Sequence, residues 1–226
     1  MAEVVEKISI DEYLDLETQT GERYEYMDGV VRAMAGTTLE HDEIVSNLLE
    51  HLRRCLKEKG CHIYSGNVKM HTPQCDKAFL YPDLHVYCTD LILKEKLPQG
   101  AYALKNPILI IEVLSKDTRN YDKGDKSDCY QKIEGMETYL MIESDLSKAR
   151  EVFIRKYISA YKFEEERIDH PEALIDILGC QIRLDEIYKG LDEIKKLQND
   201  SPAVLRAIQL PPTLPGPIAD TPVGWK

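Results

Sequence analysis

The stretch that most constrains the fold is "NPILIIEVLSKDT", residues 106–118. Ile108, Leu109, Ile110 and Ile111, then Val113 and Leu114, form an apolar run of strand length, rich in β-branched side chains. Such a run reads as a strand covered on both faces, so the sheet containing it must carry layers above and below. Glu112 interrupts the run. A carboxylate there costs several kcal/mol unless a partner compensates it. The fold must therefore deliver a partner for Glu112 from another segment.

The flanking sequence predicts a mixed set of elements. Ser9-Ile-Asp-Glu12 has the form of a capping box opening a short helix over residues 11–17. Asp28-Gly29 between two apolar-containing runs is the two-residue hairpin signal, with strands near 22–27 and 30–35. Thr37 to Glu40 is a second capping-box candidate. Beyond it Ile44, Val45, Leu48, Leu49, Leu52, Cys55 and Leu56 recur at helical spacing, so a helix is expected over 38–59, stopped by Gly60. Residues 61–70 read as one strand interrupted at Gly66, and 81–88 as another with Pro82 at its start or edge. Residues 89–105 read as a charged connection. A helix capped by Asp122 and closed by Gly135 follows the Glu112 strand. The segments 138–143 and 150–157 form a strand pair, with further short β segments at 160–163 and 179–184. The fold class is α/β, a mixed α+β arrangement with a mixed central sheet flanked by helices, an N-terminal helix and a β-hairpin. No glycine-rich phosphate loop is present.

Of the eleven prolines in 226 residues, six fall between Pro202 and Pro222. Residues 1–190 read as one domain and 191–226 as a proline-rich arm or tail, free or packed on a second subunit. The net charge of −11 weighs against a broad, sequence-independent grip on nucleic acid. The six cysteines form no Cys-x-x-Cys pair and read as free thiols of a reducing compartment, which places the chain in the cytoplasm. The N-terminal residues lack a signal-peptide core, and no apolar run is long enough to span a membrane.

A second carboxylate, Asp83, follows Tyr81-Pro82 at the head of an apolar strand. If the strands of Asp83 and Glu112 are neighbours, the two acids converge. Converging carboxylates share a proton, flank a glycosidic bond, or bind a hard divalent cation. Lys126 favours the last. It shares a helical stripe with Cys129, Tyr130 and Ile133, about 6 Å along the axis from the expected N-cap. Two carboxylates and a lysine suffice for metal-assisted phosphodiester hydrolysis. His41 opens the long helix in a stripe with Val45, Leu48 and Leu52, placed to bind a phosphate or move a proton. Each residue also has a structural explanation: a turn cap for Asp83, a buried ion pair for Glu112, a stem covering core for Lys126, and a helix cap for His41.

"YPDL" followed by "IEVLSKDTRNYDKGDKSDCYQKIEGMETYLMI", with the upstream "RYEYMDGVVRAMAGTTLEHDEIVSNLLEHL", resembles the Uma-type family of restriction endonucleases within the PD-(D/E)XK superfamily. Ser115, Thr118, Asp122, Lys126 and Tyr130 match its spaced pattern. The resemblance covers residues 8–190 and implies a restriction-endonuclease-like fold, Mg²⁺ chemistry with Mn²⁺ as a substitute, and DNA, or RNA, as substrate. It aligns Asp83 and Glu112 with the superfamily's acidic pair and adds Glu25 as a third acidic ligand, set against a cross-strand pair with Arg23 or Arg32. Leu114 stands where the superfamily has its lysine, so Lys126 takes that part from the following helix. Nucleases that cut both strands commonly pair, so a homodimer is expected. The alternative is a nuclease-fold module that binds nucleic acid or protein without cutting.

Overall fold

The computed structural model describes residues 7–34, 36–88, 97 and 102–200. The chain divides into two compact units, Met1–Leu191 and Asp192–Lys226. The described part of the second continues the helix α6, Leu191–Asp200. Most of the 89–105 connection and the proline-rich segment 201–226 lie outside the described residues.

The first unit begins with helix α1, Ile10–Thr20, whose Ser9 and Glu12 complete the predicted capping box. It runs three residues past the expected end because Gly21, at φ 70°, supplies a left-handed cap whose N–H reaches the Glu17 carbonyl. Strands β1, Tyr24–Met27, and β2, Val30–Ala33, close through Asp28-Gly29. Both turn residues have positive φ, 49° and 81°, as a type I′ hairpin requires. Helix α2, Leu39–Glu58, starts where Thr38 accepts a hydrogen bond from the His41 N–H. Ile44, Leu48, Leu52 and Leu56 form its buried stripe.

The expected strand over 61–70 is two strands in two sheets. Strand β3, His62–Ser65, lies at the edge of a six-stranded sheet, whereas β4, Met70–Thr72, ends a four-stranded one. The chain changes sheets in the turn closed by Val68 N–H on the Ser65 carbonyl. The expected strand over 81–88 is shorter, β6, Leu84–Tyr87, and an unforeseen strand β5, Ala78–Leu80, precedes it in the smaller sheet. Pro82, which has no N–H for a ladder, stands between them.

Strand β7, Leu109–Leu114, is central in the large sheet, and all six of its residues are buried. With β8, Thr138–Glu143, β9, Val152–Ser159, and β10, Lys162–Ile168, the order is β10-β9-β8-β7-β6-β3. Only β7 and β8 run parallel, so the sheet is mixed. Alternation along β7 divides the core in two. Leu109, Ile111 and Val113 join the α2 stripe, together with β11, Leu174–Ile177, β12, Cys180–Arg183, and α5, Leu184–Ile187. Ile110 and Leu114 face the other way, onto Met70, Ala78 and Leu80 of the smaller sheet and onto Tyr130 and Ile133. Glu112 shares their parity and so points between the two sheets.

The connection from β7 to β8 is one short helical run in three parts. Helix α3, Arg119–Tyr121, passes into a π-helical turn, Asp122–Lys126, and then into α4, Ser127–Tyr130. Asp122 is therefore not an N-cap. It sits inside the run and is buried. The inward stripe of Lys126, Cys129, Tyr130 and Ile133 is buried as expected.

The cysteines differ from their sequence reading. Cys55 bonds Cys180, Cys61 bonds Cys88, and Cys75 bonds Cys129, and no cysteine is free. Six isolated cysteines carried no pairing motif, but the fold brings each against a partner 27 to 125 positions away. The support that free thiols gave to a cytoplasmic location falls with that reading. Among the described residues no helix is long and apolar enough to cross a membrane. We expect the denatured, unreduced chain to give no reaction with a thiol reagent and to react at every cysteine after reduction. Full reaction before reduction would contradict the pairing.

Candidate active site

The antiparallel register of β6 and β7 pairs Leu84 with Ile111. One step further, Asp83 stands opposite Glu112. There the carboxylates take over from the ladder. The Asp83 N–H donates to Glu112 Oε2 at 3.2 Å, and the Val113 N–H donates to Asp83 Oδ2 at 2.7 Å. Each acid is thus anchored on the backbone beside the other, an arrangement fixed by the two strands rather than by flexible loops.

Glu112 Oε1 takes two further bonds, from Lys126 Nζ at 3.0 Å and Tyr130 Oη at 2.7 Å. The partner that the sequence demanded for Glu112 is therefore Lys126. This ammonium also meets Glu25 Oε1 at 3.0 Å and Asp122 Oδ1 at 3.3 Å. Glu25 arrives from β1 and additionally accepts the Tyr81 N–H at 3.2 Å. It pairs with Lys126, not with Arg23 or Arg32. The π turn sets Asp122 and Lys126 together, and Tyr139 Oη donates to the Asp122 carbonyl at 3.0 Å. Extra-wide turns inside helices commonly mark such functional spots.

Three carboxylates around a single ammonium leave excess negative charge. Burial pushes the Glu112 carboxyl well above its ordinary range. Lys126 opposes that rise, but Asp83, Asp122 and Glu25 add to it. Burial alone would lower the lysine. Glu112, Glu25 and Asp122 outweigh it and hold Lys126 charged. The direction is the same at both groups: the ammonium stays ionised, and Glu112 is driven to share a proton or gain a cation.

His41 sits at the start of α2. Its Nε2 lies 3.1 Å from Asp83 Oδ2 and its Nδ1 2.8 Å from Thr37 Oγ1. Burial lowers its basicity, but the hydrogen bond and charge of Asp83, helped by Asp122 and Asp42, raise its pKa above the ordinary value. The side chain keeps partial access to solvent, at 18% exposure. The structure thus brings Asp83, Glu112, Lys126, Glu25 and His41 into one connected network. Asp122 joins it as a partner of Lys126, a role that its reading as a helix cap had hidden. Among the described residues, no group of three or more His, Cys, Asp or Glu side chains forms a ready metal cage. What remains for a hard cation is the Asp83–Glu112 pair, whose oxygen donors suit Mg²⁺, an ion that keeps several waters and needs only one or two carboxylates.

Replacing Lys126 by methionine keeps its stem and removes the one charge shared by Glu25, Glu112 and Asp122. The expected loss is about 3–5 kcal/mol of unfolding free energy at neutral pH, read from denaturant titration. A change within about 0.5 kcal/mol, the size expected at a surface site, would show that the ammonium does not balance this cluster.

A structure described as "a putative nuclease belonging to DUF820 from Anabaena variabilis" superposes with a TM-score of 0.63 over 80% of this chain and 97% of that one, at 19% identity. That likeness shows that the two proteins share a mixed α+β fold. Two uncharacterized Synechocystis proteins are also similar. One is 30% identical over 193 residues, 82% of this chain and 93% of that protein, and the other 28% identical over 132 residues, 58% and 72% of the two. Residues 10–177 match the Uma2 family, described as "Putative restriction endonuclease". With that match spanning most of its length, the chain belongs to the Uma2 family.

Proposed function

We propose that this protein is a Mg²⁺-dependent endonuclease of the PD-(D/E)XK type that hydrolyses phosphodiester bonds in DNA. The observation that carries the reading is the pair of strand-anchored carboxylates, Asp83 and Glu112, beside the buried ammonium of Lys126. Family membership supports a nucleic-acid substrate. The excess negative charge around Glu112 supports a cation site, because a divalent ion relieves the repulsion that burial magnifies.

In this reading Asp83 and Glu112 supply the oxygen ligands, and Glu25 serves as a third acid. A bound Mg²⁺ supplies Lewis acidity toward the phosphoryl oxygen and acidifies its water. Lys126 is fixed by its carboxylates at the rim of the pair, where its ammonium orients an attacking water or stabilises charge growing on the phosphorane. Tyr130 holds Glu112 Oε1 in place. His41 Nε2, held by Asp83 and raised in basicity, binds the scissile phosphate or accepts a proton at the solvent-facing side of the pair. In this reading the chain acts as a homodimer, one protomer for each strand.

A second reading, an inert nuclease-fold module that binds nucleic acid or protein, draws on one observation: Lys126 is engaged by three carboxylates, and no three-donor cage exists among the described residues. Two measurements separate the readings. Titration calorimetry with Mg²⁺ or Mn²⁺ is expected to show binding that Glu112→Gln removes. Plasmid nicking is expected to depend on the divalent ion and to fall at least 100-fold in Asp83→Asn and Lys126→Ala, a loss of about 2.7 kcal/mol of transition-state stabilisation or more. Metal binding without cleavage of DNA or RNA would favour the inert module. Absence of both would remove the site.

A further inference from the structure

Among the described residues, the two cationic groups of the proposed site are already paired with its carboxylates. Lys126 is engaged by Glu25, Glu112 and Asp122, and His41 by Asp83. A polyanion approaching this cluster faces its excess negative charge, on a chain whose net charge is already −11. A cation exposed beside the cluster would offset that repulsion.

Arg32 is placed to do so. In the β1–β2 hairpin it stands directly opposite Glu25, so both side chains leave the same face of the ribbon. Glu25 turns inward onto Lys126, whereas Arg32 stays exposed. Its guanidinium carbon lies 4.3 Å from the centre of the Tyr121 ring, and Lys126 Nζ lies 5.4 Å from that same centre. Tyr121 immediately precedes the π turn that carries Asp122 and Lys126. The aromatic ring is thus a shared platform between the exposed arginine and the buried lysine. Among the described residues no carboxylate pairs with Arg32, although Glu25 stands across from it. The Tyr121 hydroxyl is buried and has no hydrogen-bond partner among the described residues. A cation–π contact holds a guanidinium over the ring while leaving its N–H fork unspent. A fork of that kind matches two non-bridging phosphate oxygens, and an ammonium cannot reproduce it.

We propose that Arg32, held on Tyr121, is the substrate-binding cation of this site: it grips a backbone phosphate of the nucleic acid and brings the neighbouring phosphodiester to Asp83 and Glu112. The inference rests on the endonuclease reading and names the residue through which the substrate is held.

The test measures binding of a fluorescein-labelled DNA duplex and the matching single strand to the full chain by anisotropy, with Ca²⁺ replacing Mg²⁺ to block cutting. Arg32→Gln is expected to weaken binding at least tenfold and to lower the salt slope by about one. Arg32→Lys is expected to recover part of the affinity, because charge returns without the fork. Tyr121→Leu, which removes the platform, is expected to mimic Arg32→Gln. Thermal unfolding and Mn²⁺ titration should be unchanged in Arg32→Gln, which separates lost grip from lost fold or lost metal. Equal binding by wild type and Arg32→Gln would overturn the role of Arg32 and leave the endonuclease reading intact. No binding by wild type would overturn both.

Discussion

One ammonium among buried carboxylates organises this protein. Lys126 stands on the short helical run after β7 and reaches Glu112 on the strand before it, Glu25 on the hairpin, and Asp122 one turn back. Those contacts tie the smaller sheet, the central strand of the larger one and the connecting helix to a single point. Remove the charge, and three carboxylates face one another in the space between two sheets. Keep it, and the cluster still has more negative charge than Lys126 can match. The proposed cation site rests on that imbalance, which is built into the core rather than added at the surface.

The position of the cluster follows from strand alternation. Leu109, Ile111 and Val113 belong to the α2 side of the sheet, Ile110 and Leu114 to the other. Glu112 shares the second face, where the smaller sheet and the helix carrying Lys126 already pack. Asp83 comes opposite it because Pro82 ends the preceding chain direction and β6 begins two residues later, at Leu84. Slipping β7 by one residue would send Glu112 into the leucine stripe of α2. Fold and site are therefore specified by the same register.

Much of this was readable from residues alone. An acid inside "ILIIEVL" has few explanations, and each demands a partner. Asp83 declared itself through the proline before it, and Lys126 through its place on an apolar stripe. Other features were hidden for physical reasons. Asp122 looks like a cap because aspartate favours caps, and nothing local announces a π turn. Residues 61–70 change sheets midway, which a local alternation of side chains does not record. Strand β5 is only three residues long, after a turn in which Asp76 and Lys77 both adopt positive φ. The cysteine pairs are distant in sequence, so no spacing rule reaches them. Arg32 looked like a partner for Glu25, since opposite charges across a hairpin usually pair; the nearer lysine takes that carboxylate instead.

The central claim is that Asp83 and Glu112 hold a divalent cation beside Lys126. The most direct measurement is anomalous diffraction from crystals grown with Mn²⁺. A single strong peak bonded to both carboxylates, with Lys126 still beside Glu112, is the expected result. Diffraction to comparable resolution with no peak at that pair, or with the ion held elsewhere, would contradict it.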